Sequence, residues 1–73
     1  MKEGILFYDG GPGRFDIRFE DGEIYGGLHS GTAIEIQEDF EWKQTRIEYS
    51  LEQGHWRIVG RAGSLFDGMK VRI

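Results

Sequence analysis

The chain has no cysteine and only one proline in 73 residues, and each shortage removes a class of protein. Without cysteine there is no disulfide framework, no thiolate nucleophile and no cysteine-ligated zinc, the usual staples of a small domain. No apolar run approaches the roughly 18 residues of a membrane helix. Met1-Lys2-Glu3-Gly4 opens no signal peptide, so a cytoplasmic location without membrane partners is expected. Positive charge is scarce as well, with 9 Lys and Arg against 13 Asp and Glu and a formal charge of -4. Nucleic-acid binders draw much of their affinity from phosphate neutralisation, so this balance argues against one while leaving room for a local basic face.

Two Trp, three Tyr and five Phe are present, and each can bury about 150 to 250 Å². Aromatic burial is therefore expected to replace the missing disulfides. A chain this short makes one domain, residues 1–73, burying about 60% of the surface its unfolded form exposes. Residues 1–52 hold 12 acids against 5 bases, whereas residues 53–73 hold Arg57, Arg61, Lys70 and Arg72 against Asp67. The two parts of the chain thus carry opposite charge, which suits sheet segments that attract each other.

Apolar and polar residues alternate with period two, broken by glycine-bearing turns, and no stretch reads as a helix. The first strand is read over residues 4–8, apolar on both faces. The second, Arg14-Phe15-Asp16-Ile17-Arg18-Phe19-Glu20, puts Phe15, Ile17 and Phe19 on one face. Asp21-Gly22 has the composition of a type I′ hairpin turn, which predicts a return strand over residues 23–26. Further strands are read over 32–37, 42–49, 55–60 and 69–73, with Glu38-Asp39-Phe40-Glu41 as an acidic turn. Trp42 falls on the face opposite Thr45, Ile47 and Tyr49 unless a bulge brings it inward. Connections this short exclude parallel crossovers. The expected fold is all-β, a small antiparallel SH3-like barrel of five to seven strands, with an OB-like barrel as second choice.

Four segments together resemble a known family: Gly13-Arg14-Phe15-Asp16-Ile17-Arg18-Phe19, Tyr25-Gly26-Gly27-Leu28-His29-Ser30-Gly31, Trp42-Lys43-Gln44-Thr45-Arg46-Ile47-Glu48 and Trp56-Arg57-Ile58-Val59-Gly60. They are similar to short, uncharacterised proteins of Gram-positive bacteria, their phages and plasmids, which carry the label of a domain of unknown function. The resemblance implies a setting in mobile elements. Relatives often have cysteine where this chain has Ser30.

Candidate sites follow from residue chemistry. Paired glycines in the loop from Tyr25 to Gly31 bring backbone amides close to whatever sits there, beside His29 and Ser30, although Gly26 and Gly27 also serve simply to bend the chain. Trp42 and Arg46 share a strand face and have the composition of an interface anchor. Glu38, Asp39 and Glu41, with Glu20, Asp21 and Glu23, offer a negative surface for a basic partner, and charged turns equally keep a small barrel soluble. No triad, phosphate loop or metal-spaced histidine pair is present, so neither catalysis nor a cofactor is expected. These readings converge on a non-enzymatic protein-binding module, monomeric or weakly dimeric. The alternatives are nucleic-acid binding through Trp56, Arg57, Arg61, Lys70 and Arg72, or acidic inhibition of a host nucleic-acid-binding or defence protein.

Overall fold

A computed structural model of the protein describes residues 1–60 and 65–73. The alternation becomes six strands, β1 (Glu3–Asp9), β2 (Arg14–Phe19), β3 (Ala33–Glu38), β4 (Glu41–Ser50), β5 (His55–Ile58) and β6 (Lys70–Arg72), with no helix among the described residues. They form one antiparallel sheet in the order β2-β1-β6-β3-β4-β5. Among the described residues no helix is long and apolar enough to cross a membrane.

Every strand sends its inward row to the same core. Leu6 comes from β1, Phe15, Ile17 and Phe19 from β2, Ile34 and Ile36 from β3, and Ile47, Ile58 and Val71 from β4, β5 and β6; Leu28 and Leu65 join from the connections. A flat sheet cannot bring its first and last strands into one cluster, so the sheet curls into a small barrel. The terminal strands β2 and β5 meet at a seam, where the Trp56 indole Nε1 donates to the Gly13 carbonyl at 3.2 Å. The fully buried side chains are aliphatic: Leu6, Ile17, Leu28, Ile34, Ile36, Ile47 and Val71. Aromatic burial is thus not the main substitute for disulfides.

Residues 23–28 cover the outer edge of β2. The amides of Phe19, Tyr25 and Leu28 pair with the carbonyls of Glu23, Ile17 and Phe15 at 2.8 to 2.9 Å. The expected return strand is nonetheless reduced to one bridge, Arg18 with Ile24, because Gly26 (φ 116°) and Gly27 (φ 102°) leave the extended region. The turn before it also differs from expectation. Only Gly22 has positive φ there; its amide donates to the Phe19 carbonyl, and the Asp21 carboxylate accepts from the Glu23 amide. Type I′ geometry occurs instead at Asp39 (φ 52°) and Phe40 (φ 65°), between the paired residues Glu38 and Glu41. The β3–β4 register runs unbroken through Gln37 opposite Trp42, so Trp42 stays on the outer face with Gln44 and Arg46.

Candidate functional site

Antiparallel pairing fixes where the chain's special residues lie. β1 and β3 both pair antiparallel with β6 and so run the same way, which puts the β1–β2 and β3–β4 hairpins on one side of the ladder and the end of β2 and the β4–β5 hairpin on the other. Coiling of the sheet then brings the β1–β2 and β4–β5 hairpins together across the seam. β4, with ten residues, spans about 30 Å between its own two hairpins.

The two predicted acidic turns project from opposite sides of the ladder, Glu20, Asp21 and Glu23 after β2, and Glu38, Asp39 and Glu41 around the β3–β4 turn, so they do not form one surface by pairing. Lys2 Nζ lies 3.6 Å from Asp21 and 3.2 Å from Glu23, and Lys43 Nζ lies 3.6 Å from Glu38. The Lys2 ammonium titrates above its ordinary value, held up first by its hydrogen bond to Glu23 and then by the nearby charges, against a partial loss of hydration. At the hairpin tip the Phe40 ring is 97% exposed on a residue with φ 65°. The left-handed conformation costs an L-residue roughly 1 to 2 kcal/mol, and a phenyl ring in water recovers none of it.

Beside the β3–β4 hairpin, on the outer face, the Arg72 guanidinium sits 4.4 Å above the Trp42 ring and donates through Nη2 and Nε to Glu35 at 2.6 and 2.7 Å. Trp42 is therefore half-buried beneath a cation rather than standing free. Arg46 is drawn the other way along β4, where Nη1 donates to the Gly31 carbonyl at 2.6 Å. That contact joins Arg46 to the turn holding exposed His29, whose amide donates to Thr32 Oγ1. Tyr25 lies along the edge of β2. The candidate partner-binding residues thus divide among the acidic hairpin with Trp42 beside it, the Arg46–His29 neighbourhood and, for Tyr25, the edge of β2.

The glycine loop does hold a carboxylate, and it is the chain's own. Buried Asp16 accepts through Oδ1 from the amides of Ile17 at 2.8 Å and Gly26 at 3.0 Å. A Cβ on Gly27 would stand 2.5 Å from Arg14 Nε, so glycine is required for the loop to close over that guanidinium. The Asp16 clamp could be anticipated from a carboxylate set among apolar residues ahead of paired glycines.

The residues of the nucleic-acid alternative fall on different surfaces. Trp56 belongs to the inward row of β5, whereas Arg57, Lys70 and Arg72 lie on the outer face. Arg57 Nε is 3.5 Å from Glu48, and Arg72 is engaged by Glu35. Lys70 lines an outer hollow with Ile5, Phe7 and Arg18. Arg61 lies outside the described residues.

The seam is aromatic, which the strand-by-strand sequence reading missed. Past the core, the inward rows continue as Tyr8 after Leu6, Phe15 before Ile17, Tyr49 after Ile47 and Trp56 before Ile58. Tyr8 meets Phe15 edge to face with centroids 5.2 Å apart, and Tyr49 meets Trp56 at 5.5 Å. With His55 and Leu65 they line a groove of about 520 Å³ at the seam.

Comparison with known proteins supplies a family and a structural relative. A crystal structure of a protein from Ruminococcus gnavus, from a structural genomics consortium, is 42% identical, with 99% of this chain and 100% of that chain covered and a TM-score of 0.85. None of the curated proteins matches. Residues 4–73 match the model of DUF5348, a domain of unknown function, and the chain belongs to that family.

Proposed function

We propose that this DUF5348 domain is a non-enzymatic protein-binding module whose acidic β3–β4 hairpin docks a partner with an apolar pocket set in a basic surface. Phe40 carries the reading. An exposed aromatic ring held in a strained hairpin position costs the free protein both conformational energy and apolar hydration, and such costs collect where binding repays them. Glu38, Asp39 and Glu41 surround the ring with negative charge, which speeds encounter with a basic surface and rejects an acidic one. Nucleic-acid-binding proteins present surfaces of that kind, so a basic protein of this class fits the acidic hairpin.

Capture from host lysate with tagged protein, with and without nuclease, tests the reading. A stoichiometric partner that survives nuclease, and is lost when Phe40→Gly replaces the wild type, is the expected result. Equal capture by the folded Phe40→Gly variant, or partners that vanish with nuclease, would sink it.

A further inference from the structure

We infer that the aromatic mouth at the far end of β4 is a docking groove for a proline-rich peptide segment of another protein, flanked by a basic residue. The inference rests on the reading of this domain as a protein-binding module but not on the hairpin tip. Folding alone does not account for the groove: its rim residues Tyr8 and Tyr49 are 48% and 40% exposed, although both belong to inward rows. Their edge-to-face partners Phe15 and Trp56 fix the ring orientations, and the Trp56 indole is pinned across the seam to Gly13. The rings are thus held in this arrangement by contacts within the domain itself.

A polyproline II chain is the occupant that matches such a surface. It is stiff, presents flat pyrrolidine rings, and has unpaired carbonyls along its length, so little entropy is lost when it lies between aromatic ridges. The groove offers what those carbonyls need. Among the described residues, the Tyr8 and Tyr49 hydroxyls have no hydrogen-bond partner, which leaves donors at the rim. Charge complementarity specifies the flank. Asp9 follows Tyr8, the Asp67 carboxylate accepts from the Tyr8 amide, and Glu52 stands in the turn before His55. A basic residue beside the prolines is thereby favoured.

The test is a titration of the full chain with an arginine-flanked oligoproline, followed by the NMR signal of the Trp56 indole N–H, with Trp42→Phe used to assign it. Controls are a glutamate-flanked oligoproline and an arginine-flanked glycine–serine peptide. Saturable shifts with the first peptide, weakened at least about tenfold by glutamate flanks and absent for glycine–serine, are expected. Tyr49→Ala should abolish binding while its melting curve stays cooperative, and Tyr49→Phe should weaken it through the lost hydroxyl. No saturation up to about 1 mM, or equal binding of the glycine–serine peptide, would overturn the inference. So would binding of a trimethyllysine peptide or oligothymidine in place of oligoproline, since aromatic mouths also serve methylammonium groups and bases. Failure here leaves the Phe40 reading standing, because the titration does not involve the hairpin tip, and loss of that reading leaves this one to the peptide data.

Discussion

Replacing Phe40 by glycine should make the protein more stable while removing its proposed anchor. The ring is 97% exposed, so deleting it removes almost no buried surface. Relief of the left-handed conformation at φ 65° returns roughly 1 to 2 kcal/mol. The added freedom of glycine in the unfolded chain takes back about 0.5 to 1 kcal/mol. The net gain is of order 0.5 to 1 kcal/mol, equivalent to a rise in Tm of about 2 to 8 °C for a domain this small. Phe40→Ala separates the two effects: it keeps the Cβ that causes the strain, so its Tm should stay near wild type while partner capture falls. Adding Asp39→Asn to Phe40→Gly creates the Asn-Gly pair that type I′ turns prefer, and should raise Tm further. Thermal unfolding followed by far-ultraviolet circular dichroism at low protein concentration reads all of these variants. A Tm lowered by several degrees in Phe40→Gly would refute the reasoning, since it would mean that the ring packs on the domain or the turn is not the strained one.

Ile17→Ala, at a fully buried position, should cost about 2 to 5 kcal/mol, a large part of the stability of such a domain; a variant that kept its Tm would dismiss β2 as a core strand. Gly4→Ala would place a Cβ 2.5 Å from Ile17 Cγ2 and 2.7 Å from the Arg18 carbonyl oxygen, so β1 and β2 must part, at about 1 to 3 kcal/mol. Urea unfolding measures that loss, and an unchanged midpoint would contradict the close pairing. Asp16→Ala strips the acceptor from the Ile17 and Gly26 amides and should cost about 1 to 3 kcal/mol, with faster amide exchange at Gly26. Asp16→Asn keeps a carbonyl oxygen and should lose less; equal losses in the two variants would show that the clamp does not act through that oxygen.

Much of the fold was legible because alternation is a local property. Arg14 to Phe19 fixes its own inward row, and the strands around Ile34 and Ile36 or Ile47 do the same. What depended on backbone geometry was less so. Gly26 and Gly27 read as loop residues at the end of a strand, yet their positive φ dissolves the strand before them. Turn composition pointed to Asp21-Gly22, whereas the strained two-residue turn is Asp39-Phe40, imposed by a register that pairs Gln37 with Trp42 and Glu38 with Glu41. The candidate sites were legible as residue types but not as surfaces. That Arg72 would lie over Trp42 and bind Glu35, 37 positions away in sequence, follows only from β6 lying between β1 and β3.

The distribution of aromatic side chains joins these observations. A barrel this narrow fills its centre with branched aliphatic side chains, and those are the ones fully buried. The aromatic rings are displaced outward: Phe15 and Phe19 toward opposite ends of β2, Tyr8, Tyr49 and Trp56 into one mouth, Trp42 onto the outer face and Phe40 onto the β3–β4 tip. Because the aliphatic centre already supplies the stabilising burial, exposed rings such as Tyr8, Tyr49 and Phe40 add little to folding and leave apolar surface in water. Their placement makes physical sense as surface held ready for another molecule. β4 carries one such surface near each of its ends, so a partner engaging the tip leaves the mouth free for a second contact.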